Sequence, residues 1–209
     1  FRASAPAVEV WDPVTGTKYS VPCERCADGR TSLKMELPQG GSAIVAFLKN
    51  APAQRAKGRP DLKKAVCVQG PWTVSFSYPK GIAARPPDPV RLPELVDFRS
   101  REDLRHFAGA ATYRCSFSFD DDPSGASVSL GDVPSGLAHV WVNDIDCGTV
   151  WCAPWRADIS HAVRRGTNVL TVRYVNNWHN RMVGDCQVPD DACVTKAVVG
   201  RWKQPRTFP

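Results

Sequence analysis

No apolar run in this chain approaches the roughly 20 residues needed to span a bilayer, and no signal peptide opens it, so no membrane partner is expected. Helical periodicity is equally scarce. Only Ser100 to Phe107 and Ile159 to Val163 suggest a turn or two of helix, opened by Ser100 and Asp158 as caps. Catalytic patterns are missing as well. The histidines His106, His139, His161 and His179 are scattered, no serine sits in an acyl-transfer motif, and the acidic residues gather in turns rather than in a positioned pair. The chain opens on Phe1 rather than Met, which leads to the expectation of a longer parent and makes a complete enzyme doubtful.

Charge is present but uneven. The 209 residues carry a net charge of +6. Between Lys49 and Lys64 the basic residues Lys49, Arg55, Lys57, Arg59, Lys63 and Lys64 meet Asp61 alone. Ala, Pro, Gly and Gln fill the gaps, without the interleaved aromatics or groove-reading element that nucleic-acid binding requires. This stretch reads as a solvated linker, and no nucleic-acid partner is expected. The eight cysteines give no firm pattern. Cys23 and Cys26 form C-x-x-C, and Cys186 and Cys193 form C-x6-C, far apart in the chain. Zinc, one or two disulfides, and free thiols all remain open readings.

The dominant signal is a period of two. Trp72, Val74, Phe76 and Tyr78 alternate with Thr73, Ser75 and Ser77. Tyr113, Cys115, Phe117 and Phe119 alternate with Arg114, Ser116 and Ser118, and Val128 with Leu130 begins another run. Ala138, Val140 and Val142 alternate with His139, Trp141 and Asn143, and Leu170, Val172 and Tyr174 lie opposite Val169, Thr171 and Arg173. Such one-sided strands at short spacing, separated by Gly/Pro/Asp turns, predict an antiparallel β-sandwich over residues 67–185. Upstream, Val8 to Trp11, Thr17 to Val21, Leu33 to Leu37 and Ala43 to Leu48 read as short strands, with a turn at 12–16. Four strands in under fifty residues make a poor independent core, so 1–48 is expected to be the C-terminal strands of an upstream β-domain. The expected organisation is thus 1–48, a basic linker at 49–66, the sandwich at 67–185 and an extension at 186–209, in which Val194 to Trp202 reads as a last strand.

The run from Val140 through Asn143, Asp144 and Gly148 to Val150, then Ala153 to Ile159, then Gly166 to Val172, resembles a galactose-binding-like antiparallel β-sandwich (jelly roll) of the kind found as the sugar-binding domain of family 2 glycoside hydrolases. The segments Gly70 to Phe76, Phe107 to Arg114 and Val175 to Asp185 narrow the likeness to the C-terminal end of glycoside hydrolase family 106, the α-L-rhamnosidases. Val10 to Gly16 and Gly40 to Phe47 are similar to the segment that precedes that terminal domain. The family's usual asparagine-glycine turn stands here as Asn143-Asp144, which alters the turn chemistry and leaves the strands in place.

The resemblance implies a non-catalytic accessory or sugar-binding-like domain, secreted or periplasmic, whose catalytic acids belong to an upstream barrel. Its implied partners are the catalytic domain of the same parent and carbohydrate, with rhamnose-containing polysaccharide the first candidate. A stand-alone lectin-like module and a purely structural sandwich share the same features. No catalytic residue is assigned. Two groups suit either sugar contact or a domain interface: Trp151, Trp155 and Arg156, and Trp178, Asn180 and Arg181. Aromatic rings stack on sugars while guanidinium and amide donors fix hydroxyls, and the same residues also pack cores and interfaces. Asn143, Asp144, Gly148 and Asp158 read chiefly as turn-makers. No cofactor is expected; beside the open zinc reading of the cysteines, a structural calcium on Asp120, Asp121 and Asp122 is considered, against the plainer reading of a solvated turn.

Overall fold

The structure is a computed structural model that describes residues 1–37, 40–50, 67–82, 84–133 and 135–195. It is all-β and antiparallel, and the chain divides into two compact units, Phe1–Ala65 and Val66–Pro209. Most of the basic stretch lies outside the described residues, as does the proposed last strand beyond Thr195. No helix among the described residues is long and apolar enough to cross a membrane.

The first unit holds β1 (Ala7–Trp11), β2 (Lys18–Ser20), β3 (Cys23–Arg25), β4 (Thr31–Leu33) and β5 (Ile44–Leu48). Strand β1 is central, paired antiparallel with β2 and β5, and it buries Val8 and Val10. The turn expected at 12–16 is present: the Asp12 carboxylate accepts the Val14 amide at 2.8 Å, and Gly16 N–H donates to the Asp12 carbonyl at 2.8 Å. The strand expected at Leu33 to Leu37 is displaced. Asp28-Gly29 reverses the chain, with Gly29 N–H donating to the Cys26 carbonyl and Arg30 N–H to the Asp28 carboxylate. Residues 31–33 therefore pair back onto β3, and 34–37 fall outside any strand. Turn chemistry outweighed the alternating apolar residues.

The second unit is built on one six-stranded sheet, ordered β11-β10-β13-β8-β6-β7. Its strands are β6 (Trp72–Ser77), β7 (Val90–Leu92), β8 (Ala110–Phe119), β10 (Leu137–Val142), β11 (Ile145–Val150) and β13 (Gly166–Val175). Period-two alternation places Trp72, Val74, Phe76, Ala111, Cys115, Val140, Val142, Leu170 and Val172 on the inner face, all in one buried cluster. The opposing layer contains the pair β9 (Ser127–Ser129) and β12 (Arg156–Asp158), the 3-10 turn at Phe98–Ser100 with the turns after it, and the turn opened by Ile159. It supplies Leu104, Phe107, Ala157, Ile159, Ala162 and Val163 to the same core. Phe76 meets Phe107 at 5.0 Å and Phe98 at 5.6 Å, edge to face, and Phe98 stacks on Tyr113 at 6.2 Å. Each such pair adds about 0.5–1.5 kcal/mol beyond its burial. The short strands β7 and β12 escape a pattern reading because three residues hold too little alternation to register.

Strand β13 ends at Val175 as its pattern requires, but the chain then forms helix α1 (His179–Asp185), which the sequence reading lacked. Asn176 makes the change of direction possible. Its Oδ1 accepts the Gly109 amide at 2.8 Å and its Nδ2 donates to the Phe107 carbonyl at 3.0 Å, tying the end of β13 to the entry of β8.

The loop entering β10 is tighter still. Gly136 has φ +93, and a Cβ there would lie 2.3 Å from the Val175 carbonyl oxygen and 3.1 Å from the Tyr174 ring. Tyr174 itself donates its hydroxyl to the Ser135 carbonyl. Gly148 has a similar φ of +89 with nothing within 4 Å. Gly148→Ala should therefore cost only the left-handed backbone term, about 1 kcal/mol. Gly136→Ala should cost that plus a clash with main chain, about 3 kcal/mol or more in total. Urea unfolding midpoints of the two variants measure the difference, and equal losses would contradict the packing described.

Candidate functional site

Asn143 and Asp144 occupy the two central positions of the β10–β11 reversal, with φ of 54 and 62. That is the left-handed pair a tight hairpin demands, here met by Asn-Asp. Asn143 also works as a half-buried connector. Its Nδ2 donates to Asn168 Oδ1 at 2.8 Å and to the Ala162 carbonyl at 3.0 Å, while its Oδ1 accepts the Val169 amide at 3.0 Å. Asn168, fully buried, accepts the Arg164 amide at 2.9 Å and donates to the carbonyls of Arg164 and Gly166 at 2.6 and 2.9 Å. Asp158 accepts from the Ser160 amide and hydroxyl, capping the turn that carries Ile159, Ala162 and Val163 into the core. Asp144 lies 3.4 Å from Arg114 at the surface.

This hairpin presents an outward face. His139 and Trp141 alternate with the buried Ala138, Val140 and Val142, and their rings meet at 4.2 Å. His139 Nδ1 lies 2.7 Å from Thr149 Oγ1, and Nε2 lies 2.9 Å from Asp146 Oδ1. With Nε2–H directed at the carboxylate, Nδ1 accepts the threonine hydroxyl. Asp146 Oδ1 also accepts the Gly148 amide at 2.7 Å, and the Asp146 carbonyl accepts from His161 Nε2 at 2.9 Å. The Gly148 amide, and behind it His139 and His161, hold the Asp146 carboxyl below the usual carboxylate range. The Thr–His–Asp order is that of a nucleophile, base and orienting acid, but it sits in the open. Asp146 is 63% exposed. The network fixes the imidazole beside Trp141. A lone sequence histidine could not reveal it, because its partners come from β11 through a register shift between His139 and Trp141.

The first of the two aromatic groups expected from the sequence is divided by the fold. Trp151 follows β11 and is 58% exposed, whereas Trp155 packs against the core with a left-handed φ of 54. Arg156 is exposed and belongs to β12, opposite Ser129.

The second group is also split. Trp178 is the half-buried residue that precedes α1, and Asn180 is half-buried on the helix. Arg181 turns inward: its Nε lies 2.9 Å from Asp185 Oδ1, with side chains only 14% and 6% exposed. It is thereby removed from the set of free docking or sugar-gripping guanidiniums, because a one-turn helical spacing closes it onto a buried acid. The Asp185 carboxylate also accepts the Val194 and Thr195 amides at 3.1 and 2.9 Å and the Thr195 hydroxyl, so it fastens the segment after the helix. A Cβ on Gly184 would lie 2.7 Å from the His106 ring and 2.5 Å from Arg181, so α1 sits hard against that imidazole. Burial pushes the His106 pKa down, reinforced by Arg181 and Arg105, while the Asn180 carbonyl and Asp185 oppose it.

Among the described residues no three His, Cys, Asp or Glu side chains converge as a metal site. Asp122 spends its carboxylate on the Ser124 amide at 3.0 Å, the turn chemistry of an Asp-Pro-Ser-Gly loop. All eight cysteines are free thiols, and burial pushes Cys115 and Cys147 above the usual thiol range.

Burial by itself would raise the Asp185 pKa, but the Thr195 and Val194 hydrogen bonds and the Arg181 charge outweigh it and hold the carboxyl down. A folded value below the unfolded one stabilises the protein fully above about pH 4, and the contribution fades as pH falls through the depressed value. Asp185→Asn should therefore be less stable than the parent at pH 7 and lose less on acidification. Urea unfolding at pH 7 and at pH 3 measures this, and an unchanged acid limb would contradict the assignment.

No family model matches the chain. It is 32% identical to a rhamnosidase from Novosphingobium sp. PP1Y, superposing with a TM-score of 0.71 over 88% of this chain and 18% of that one. It is 31% identical over 132 residues to the Formosa agariphila protein named "Putative beta-glucuronidase", a match covering 60% of this chain and 11% of that protein. A β-glucuronidase from Ruminococcus gnavus is matched over 52% of the chain at 21% identity and a TM-score of 0.40, too distant to carry an argument. The chain thus spans less than a fifth of the length of these first two relatives, and it is similar to parts of proteins named for glycoside hydrolysis.

Proposed function

We propose that this chain is a non-catalytic accessory module from the C-terminal end of a family 106, α-L-rhamnosidase-like glycoside hydrolase, acting in a secreted or periplasmic setting. It packs on the catalytic domain of its parent and contacts polysaccharide, rhamnose-containing polysaccharide being the first candidate. One observation carries the reading: nearly nine-tenths of the chain aligns with under a fifth of a rhamnosidase, at 32% identity. Glycoside hydrolysis needs two carboxylates about 5–10 Å apart, one of them able to hold a proton near neutrality. Among the described residues the sole buried carboxylate is Asp185, and its partners keep it ionised. Asp146 is likewise held ionised, at an exposed position beside two histidines. Neither is suited to protonate a leaving group.

The chain should therefore release no p-nitrophenol from p-nitrophenyl α-L-rhamnoside above the buffer rate. Turnover that vanishes when one carboxylate of this chain is replaced by its amide would overturn the proposal.

A further inference from the structure

Resting on the reading of the chain as a glycosidase accessory module, we infer that the outward face of the six-stranded sheet binds an acidic saccharide, one whose sugar units carry carboxylates. The registers put the relevant side chains in two adjacent rows. Thr149, His139, Arg173, Thr112 and Ser75 are cross-strand partners from β11 to β6. Two residues along, Asp146, Trp141, Thr171, Arg114, Thr73 and Arg91 form the next row, out to β7. Every one of these lies opposite the core-facing residues of its strand. The face therefore has an aromatic end on β10, three guanidiniums spread over β13, β8 and β7, and hydroxyl side chains between them.

The charges on this face are not self-compensated. Asp146 is engaged by His139 and the Gly148 amide, and Asp144 is the partner of Arg114. Arg173 and Arg91 are exposed, and neither has an ion pair or side-chain hydrogen bond among the described residues. Trp141 is half-buried beside His139, and its indole N–H likewise has no partner among the described residues. A lone exposed arginine is ordinary; two unpaired ones flanking a paired one, in register with an aromatic pair, form a surface complementary to an anion.

The geometry favours a carboxylate on the sugar ring itself. A pyranose lying against Trp141 carries a uronate group at its rim, close to the ring plane. Arg173 is the diagonal cross-strand neighbour of Trp141, a relation that brings long side chains within reach of one another, here with a planar guanidinium fork. A sulfate ester would stand off a hydroxyl, farther from the stacked ring. The serine and threonine hydroxyls of β6 and β8 then meet the hydroxyls of the next sugar unit, along the line toward Arg114 and Arg91.

Titration calorimetry of the full chain with tri-α-1,4-galacturonate, with the neutral α-1,4-galactose trisaccharide and with a sulfated galactose trisaccharide tests this, followed by chromatography of the sugar. The uronate should bind more tightly than the other two, and its affinity should fall as salt is raised. Arg173→Ala should weaken it about tenfold or more, and Trp141→Ala by a similar factor. Arg173→Lys should recover only part of the loss and guards against a folding artefact, while Trp151→Ala should leave binding unchanged. Equal affinities, preference for the sulfated sugar, absence of binding, or a loss confined to Trp151→Ala would each overturn the inference and leave the accessory-module reading intact. Cleavage of the trisaccharide would overturn that reading, and the inference with it.

Discussion

The second unit depends on a pair of joined amides, Asn168 fully buried and Asn143 half-buried. Asn143 and Asn168 are joined at 2.8 Å, and between them they satisfy main-chain groups at 162, 164, 166 and 169. Buried polar groups are tolerated only when their hydrogen-bonding capacity is used, and here it is spent on the turn opened by Ile159 and on the start of β13. One amide holds the left-handed reversal of β10 and β11; the other closes the loop that leads from the Ile159 turn into β13. Remove either and several donors and acceptors lose their partners at once. This coupling lets a hairpin at the very edge of the sheet keep a defined register and face.

From that constraint the outward face follows. With β10 locked to β13 and β11, His139 and Trp141 have no freedom to exchange faces with Val140 and Val142, since a one-residue slip would bury the imidazole and expose the valines. The register shift on β11 then brings Asp146 and Thr149 onto His139 from both sides. Similar over-determination holds the other end of the sandwich, where Asn176 ties the exit of β13 to the entry of β8 and Asp185 fastens the residues after α1. Asparagines and aspartates at element ends therefore act as joints of the framework in this domain.

The long strands were legible because alternation over six or more residues admits one reading. Trp72 to Ser77 and the run closed by Val175 show it plainly, as does the inner face of β8. The turn role of Asn143 and Asp144 was legible for a local reason, since few residues accept a left-handed backbone. What failed to show in the sequence was contact at a distance. Nothing local in Trp178-His-Asn-Arg181 says that the arginine closes inward onto Asp185, and nothing in Asn168 says that it is wholly buried. Trp141, on the outward sheet face, is hidden in the sequence among strand residues, whereas Trp151 and Trp155 stand out on loops.

A double-mutant cycle on the amide pair is the most direct test of this account. Asn143→Gly keeps the left-handed turn and deletes the amide, Asn168→Ala deletes the other, and urea unfolding reads the singles and the double. Each single should cost about 1–3 kcal/mol. The double should cost less than their sum by about 1 kcal/mol or more, because the second deletion finds its partner already gone. Losses that add within about 0.5 kcal/mol would mean the two amides act independently, and the edge of the sandwich would then need another explanation.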